Sequence, residues 1–444
     1  MASSLRRNPF KGIPLGIIIA HLPFTFAILL CTITYTARAQ NDTTPVVKNA
    51  IKANRIKTYN NIINNSITKN LALSLTDSTE ENWEDAFYAI ELINYKQPWV
   101  IEKIKIAFDG VEKRSVEFQR SLLELCYVNF PLQFKAEVYH FFINTTAAKN
   151  FAIALEYLYQ SDKNNLVNLL FASSTKGATI DSSKKSKAIL NAIATRFNSS
   201  PDKNFNTKIK ALFTHDYLLS NTVVYSIQRK NRNYLGIVVV KDKDGNFIKD
   251  DKGNIFSVPQ LARSITNLPC YLTNGNTPQG IFRMNGFEIS KIGAIGPTEN
   301  IQLTMPFETS VQHFLKASTI TDTIWTPKLY ERLLPDALKK YHPLFGTYYA
   351  SAIGRTEIIA HGTTVNPNYY KGKMYYPYTP TQGCLCTKEI WSEKDGKRTI
   401  SDQQKLVDAV KKAGGADGYL IVIEIDDQQK PVSINEILPY LKQK

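Results

Sequence analysis

Cysteine is scarce in this chain of 444 residues: it holds five, and only Cys126, Cys270, Cys384 and Cys386 lie beyond the first forty positions. A fold stapled by disulfides is thereby excluded. Cys384 and Cys386 are two apart, and a bond between them would close a small, strained ring. Two free thiols on one face of an extended segment fit that spacing better than a labile redox lock. Histidine is also rare, and His140, His215, His313 and His342 show no metal-ligand spacing. No metal or other cofactor is expected. Acidic residues are outnumbered, 39 against 54 basic ones, and none occurs in the first forty positions.

Those forty positions read as a targeting segment rather than as part of a fold. Arg6, Arg7 and Lys11 are followed by an uncharged apolar run from Ile13 to Thr36, and Ala37-Arg38-Ala39 has the small-x-small form of a cleavage site. The run is long enough to nearly span a bilayer, so an uncleaved anchor is the alternative to a signal peptide. Either way the chain is expected to be exported to the periplasm or cell envelope. A basic exported protein is expected to meet an anionic envelope polymer or a membrane surface, not nucleic acid, and it meets the membrane only if this segment is retained. Lysines that merely solvate the surface are the plainer reading of the same charge.

The remainder is long enough for two or three domains. From about Val46 to Phe213, apolar residues recur at three- and four-residue spacing, with little glycine or alternating β-branched sequence. A weak repeat aligns Tyr88–Ile93, Ser121–Cys126 and Ile153–Leu158, with Glu91, Glu124 and Glu156 in register. Pro98 and Pro131 are expected to open second helices, where a missing N–H costs little, and Asn164 holds the comparable place in the third copy. Such helix pairs must stack to bury their apolar faces, giving a short solenoid or bundle with Cys126 in its core. It would either bind a partner, such as an envelope protein, or simply stabilise the C-terminal half. The segments 182–186 and 198–202 read as loops.

Beyond Leu219 the composition turns β-rich, in Thr222–Ile227 and Gly236–Val240, and Asp244-Gly245 marks a hairpin. Asp242, Asp244 and Asn246 faintly suggest a calcium loop, but the glycine falls at the wrong position for one. Helices are expected over Pro327–Tyr341 and Asp402–Ala413, and a buried strand over Gly418–Ile423. The expected class is α+β, with a targeting segment at 1–39, a helical repeat-like domain at 44–215 and a mainly β domain with helical insertions at 220–444.

The chemistry-bearing stretch is Thr381-Gln382-Gly383-Cys384-Leu385-Cys386, preceded by His361-Gly362 at the end of an apolar run. A cysteine after glycine can sit in a tight turn whose N–H groups face the carbonyl under attack, and a histidine leaving a strand is a natural base for the sulfur. Taken singly, a satisfied strand-end histidine and a buried thiol are the commoner fates. Upstream stands Thr277-Pro278-Gln279-Gly280-Ile281-Phe282. In this order, the three segments resemble the catalytic domains of the L,D-transpeptidases, which act on the stem peptides of bacterial peptidoglycan.

That resemblance covers about the last half of the chain and implies a fold and a mechanism. Cys384 would be the nucleophile of a thioester pathway, and His361 the base, oriented by the backbone carbonyl of Gly362. Backbone N–H groups of Gln382, Gly383 and Cys384 itself would form the oxyanion hole. The sequence departs from the family at three points: a longer loop between His361 and Cys384, Gln382 in place of a histidine, and Cys386 where an arginine or asparagine is usual. Arg283, Arg355, Lys371 and Lys373 are candidates to replace that arginine. Tyr369, Tyr370, Tyr375, Tyr376 and Tyr378 in the long loop would either form a lid over substrate or pack as the loop's own core. A peptidase that uses water as acceptor, and a non-catalytic cell-wall-binding protein, are the alternative functions.

Overall fold

The computed structural model describes residues 44–165, 180, 183–198 and 208–441. The segment expected to direct export lies outside the described residues, as do the parts of the two expected loops at 182 and 199–202. Among the described residues no helix is long and apolar enough to cross a membrane.

The chain is a mixed α+β structure, with helices first and a closed sheet after them. Glu80–Ile93, Val116–Asn129 and Ala148–Ser161 are the helices that carry the repeated segment, and they pack side by side in sequence order. Trp83, Phe87, Phe118, Leu122, Phe151 and Leu155 fill the core between them, with Cys126 fully buried among them. Pro98 stands at the first position of helix Pro98–Phe108, where its fixed φ suits the helix start.

Pro131 does not do the same. Its helix runs only from Lys135 to Asn144. The Tyr157 hydroxyl explains the delay, because it accepts from Phe134 N and donates to Phe130 O, both at 2.9 Å, and so holds residues 130–134 in a turn. Asn164 lies in a short 3-10 turn, Lys163–Asn165. The expected loop at 182–186 is also corrected: Lys184 already begins helix Lys184–Asn198, and the Ser183 hydroxyl caps it by accepting from Ser186 N at 3.2 Å.

The second part is a barrel of eight strands. They are β1 (Thr222–Arg229), β2 (Gly236–Lys241), β3 (Val258–Leu261), β4 (Gly280–Glu288), β5 (Asn300–Thr304), β6 (Ile359–His361), β7 (Leu385–Thr387) and, after the small hairpin β8 (Glu389–Trp391) and β9 (Arg398–Ser401), β10 (Asp417–Asp426). Around the barrel the order is β1-β10-β4-β5-β6-β7-β3-β2, with β1–β10 and β6–β7 parallel and the other pairs antiparallel.

Side-chain alternation sorts the strand residues. Val224, Val238, Val258, Phe282, Ile301, Ala360, Leu385 and Leu420, one from each strand, share the interior, and Leu406 and Val410 of helix Asp402–Lys412 join them. The outward residues Val223, Tyr225, Ile281 and Ile421 are buried too, against Tyr330, Leu344 and Ile437. Burial on both faces explains the uninterrupted apolar runs of β1 and β10.

The hairpin expected at Asp244-Gly245 is present, with Asp242 Oδ1 accepting from the backbone N–H of Asp244 and Asn246, and Gly245 at φ +84°. The expected helix over Pro327–Tyr341 is not. It is broken into turns at Pro327–Tyr330, Glu331–Leu333 and Asp336–Leu338. Pro335 lacks an N–H, and its ring disfavours helical geometry in Leu334, which is extended.

Candidate active site

Strand β6 delivers His361, and Cys384 stands one residue before strand β7. The two strands run parallel in register, Ala360 beside Leu385 and His361 beside Cys386. Because Ala360 and Leu385 point into the barrel, alternation puts His361, Cys384 and Cys386 on its outer face. Residues more than twenty apart in sequence thus come to one patch.

His361 is buried, and its Nδ1 donates to the carbonyl of Gly362. That bond fixes the tautomer: a neutral ring with Nδ1 protonated leaves Nε2 as an acceptor. Burial drives the ring's pKa down to about 4, against a partial upward pull from the Gly362 carbonyl, so the ring is neutral at physiological pH. A Cβ at Gly362 would meet the Glu389 carboxyl group, so a side chain there would have to displace that carboxyl. Glu389 is itself buried and accepts from the hydroxyls of Thr298 at 2.6 Å and Ser401 at 2.7 Å. Its burial raises its pKa. No sequence pattern marks this support behind the histidine, because it arrives from a separate hairpin.

Cys384 is partly accessible. Its thiol donates to the Glu357 carbonyl at 3.5 Å, and among the described residues no hydrogen bond joins it to His361. Enclosure by protein raises the thiol's pKa above the usual value, opposed by a backbone hydrogen bond from the Ile359 side and by the charge of Arg355. Both members of the pair are therefore neutral at rest. Any attack by the sulfur must begin with transfer of its proton, not from a standing thiolate.

Gly383 has φ +118°, a conformation natural to glycine alone. A Cβ there would strike Arg355 Nη2 and the Gly275 carbonyl. The Gly383 carbonyl accepts from the Thr277 hydroxyl at 2.8 Å, so the upstream Thr-Pro-x-Gly segment joins the Gly-Cys turn directly. In the same segment Gly280 has φ +121°, and a Cβ would meet the Tyr330 hydroxyl and the Leu344 carbonyl. Of the expected oxyanion donors, Gln382 is exposed, and Gly383 N–H is already engaged by the Thr381 hydroxyl at 3.0 Å. That hydroxyl in turn donates to Cys384 O at 2.8 Å.

The four candidate cations separate cleanly. Arg283 pairs with Asp417 and donates to Gly418 O on β10, while Lys371 and Lys373 are exposed on the long loop. Arg355 alone among them touches the Gly-Cys turn. The tyrosines have mostly packed inwards: Tyr370, Tyr375 and Tyr378 cluster with Leu261 and Cys386, and the Tyr370 hydroxyl donates to Leu92 O at 2.7 Å. Tyr376 remains exposed. Cys386 and Cys384 are both free thiols. Among the described residues no three His, Cys, Asp or Glu side chains cluster as a metal site requires.

No family model, no curated protein and no solved structure matches this chain.

Proposed function

We propose that the protein is an exported cysteine acyltransferase of the L,D-transpeptidase type, acting on peptidoglycan stem peptides through a thioester on Cys384. One observation carries the reading. Three sequence segments that have no local reason to meet converge, with Thr277 bonded to Gly383 and with His361 and Cys384 brought in by neighbouring parallel strands.

The protonation states favour a mechanism that opens with proton transfer. The thiol exchanges its Glu357 hydrogen bond for one to His361 Nε2 and gives up its proton as the sulfur attacks the donor peptide carbonyl. The tetrahedral oxyanion needs donors, so the Gly383 N–H must leave Thr381, and a donor in such a place is worth about 3 kcal/mol. Collapse breaks the C–N bond, and the leaving amine takes the proton held on Nε2. An acceptor amine then loses a proton to His361, attacks the thioester and releases the thiol.

Water as acceptor gives a peptidase by the same steps. A binding-only reading has its own support, since both the thiol and the Gly383 N–H are occupied and Cys386 stands at the usual arginine position. Incubation of the purified protein with muropeptides, followed by mass spectrometry of the products, separates the three. Cross-linked dimers are the expected result. Trimmed monomers alone count for the peptidase, and unchanged muropeptides with retained wall binding by Cys384→Ala would sink the acyltransferase.

A further inference from the structure

Two of the three glutamates in register along the helical repeat bond the same loop, and the third stands beside it. Glu156 accepts from the Tyr271 hydroxyl at 2.9 Å and pairs with Arg196, its Oε2 accepting from Nη2 at 2.9 Å. Glu124, one helix back, accepts from Asn274 Nδ2 at 3.0 Å. Glu91, one helix further, borders a small pocket with Tyr88, Asn274, Thr381 and Gln382. All three are almost wholly buried. Lys149 adds a bond to the Thr273 hydroxyl at 2.9 Å. Stacking turns a repeat position into a row, and Glu124 and Glu156 of that row, with Lys149, grip one loop, residues 264–276.

This loop belongs to the barrel by sequence but to the helices by packing. Ile265, Leu268, Tyr271 and Leu272 are buried in the helical core, and so is Ile353, two residues before Arg355. Its other side faces that arginine. The Cys270 carbonyl accepts from Arg355 Nη1 at 2.5 Å, the Asn276 carbonyl from Nη1 at 2.7 Å and the Gly275 carbonyl from Nη2 at 2.5 Å.

Arg355 is 4% exposed, and among the described residues its guanidinium forms no ion pair. Carbonyls accept from its Nη1 and Nη2 without carrying a full charge, and Glu308, not in ion-pair contact, offsets its charge only in part, which is costly in a buried position. The same Nη2 abuts Gly383, next to the thiol.

We infer that the helical part sets the reactivity of Cys384: its glutamates hold loop 264–276, and the loop's carbonyls hold Arg355 beside the Gly383-Cys384 turn as the counter-charge for the thiolate. This rests on reading Cys384 as the nucleophile. Electrostatics run the same way, since the charge of Arg355 favours ionisation of Cys384, while burial, offset only in part by Cys270, Cys384 and Glu308, lowers the arginine's own pKa to about 10. Arg355 and the clamp residues are positioning groups. They replace, from a different part of the chain, the side chain lost at Cys386.

The test reads the thiol itself and needs no substrate. Alkylation by iodoacetamide is followed from pH 6 to pH 11 in the full chain, and the Cys384 peptide is quantified by mass spectrometry. Arg355→Gln should raise the apparent thiol pKa by about one unit, which slows alkylation at neutral pH about tenfold. Arg355→Lys should recover part of the loss. The double variant Glu124→Gln with Glu156→Gln, whose side chains bond the loop and not the Gly-Cys turn, should slow alkylation about two- to fivefold through the loop.

An unchanged profile in folded Arg355→Gln overturns the counter-charge. An unchanged profile in the double variant overturns the clamp, and decides the matter if Arg355→Gln does not fold. Shifted profiles in a protein that leaves muropeptides untouched would remove the proposed function and keep this inference. Muropeptide products that vanish with an unshifted thiol profile would do the reverse.

Discussion

The Thr277 hydroxyl donates to the Gly383 carbonyl at 2.8 Å, across 106 residues of sequence. Thr277 is wholly buried, so the bond ties the approach to β4 to the turn that presents Cys384. Thr277→Val keeps the shape and removes the donor. It should cost about 1–3 kcal/mol, the usual penalty for leaving a buried acceptor unsatisfied, read as a lower urea midpoint with an unchanged slope. Thr277→Ser should restore most of it.

Gly383→Ala should be worse. The new methyl group meets Arg355 and the Gly275 carbonyl, and the backbone is held at a φ that side chains avoid. A loss of about 2–4 kcal/mol is expected from strain and overpacking together, with a matching fall in melting temperature. A stability within experimental error of the parent chain would count against the turn geometry described for Cys384.

Two neutral partners give the site a distinctive pH dependence. His361 titrates near 4 when folded, against a usual 6.5, because burial disfavours its charged form. The unfolded chain therefore binds a proton that the folded chain refuses, and stability falls as pH drops from about 6.5 to about 4 and levels below that. The loss attributable to this ring is about 3 kcal/mol. His361→Gln should flatten that part of the stability profile. The ring remains a competent base throughout, so the acid limb of any acyl-transfer rate should lie near pH 4, well below an ordinary histidine's.

Thiol chemistry should be selective. Cys386 is 1% exposed and its pKa is pushed up to about 12, and Cys126 is wholly buried with its pKa raised as well. A carbapenem or another thiol-directed acylating agent should modify Cys384 and leave these two untouched in the folded chain. His361→Ala should abolish that labelling. Equal labelling of Cys384 and Cys386 would contradict the burial that separates them.

Features encoded locally are the ones legible in the sequence. The three- and four-residue apolar spacing marks the helices, the β-rich runs mark β1, β2 and β10, and Asp244-Gly245 marks a hairpin. Gly383 stands out because glycine before a cysteine implies a backbone that other residues avoid, and its φ bears this out. The departures share a cause. Pro131 has a helix-starting habit, but Tyr157, 26 positions on in the sequence, decides its surroundings through bonds to Phe130 and Phe134. Apolar spacing alone carries a helix through Pro335, where the proline ring forbids it. Glu389 behind Gly362, and the grip of Glu124 and Glu156 on loop 264–276, rest on pairs far apart in the chain and leave no local pattern. Arg355 is visible in the sequence only as one cation among four.

The position of β10 in the barrel bears on the order of events during synthesis. It lies between β1 and β4, although it follows the other seven barrel strands in the sequence. Until residues 417–426 leave the ribosome, both of those neighbours present bare hydrogen-bonding edges, rich in apolar side chains and open to pairing with other chains. The helical part waits less, since most of its contacts are between helices near in sequence, although loop 264–276 and Ile353 join its core only later. Arg229 adds a second dependence, because its buried guanidinium is satisfied by Asp426, Glu436 and the Lys430 and Pro431 carbonyls, all in the final stretch of chain. A nascent chain of this protein thus carries a largely formed helical half and an open, adhesive sheet at the same time, and in that interval mispairing with other chains is the main hazard.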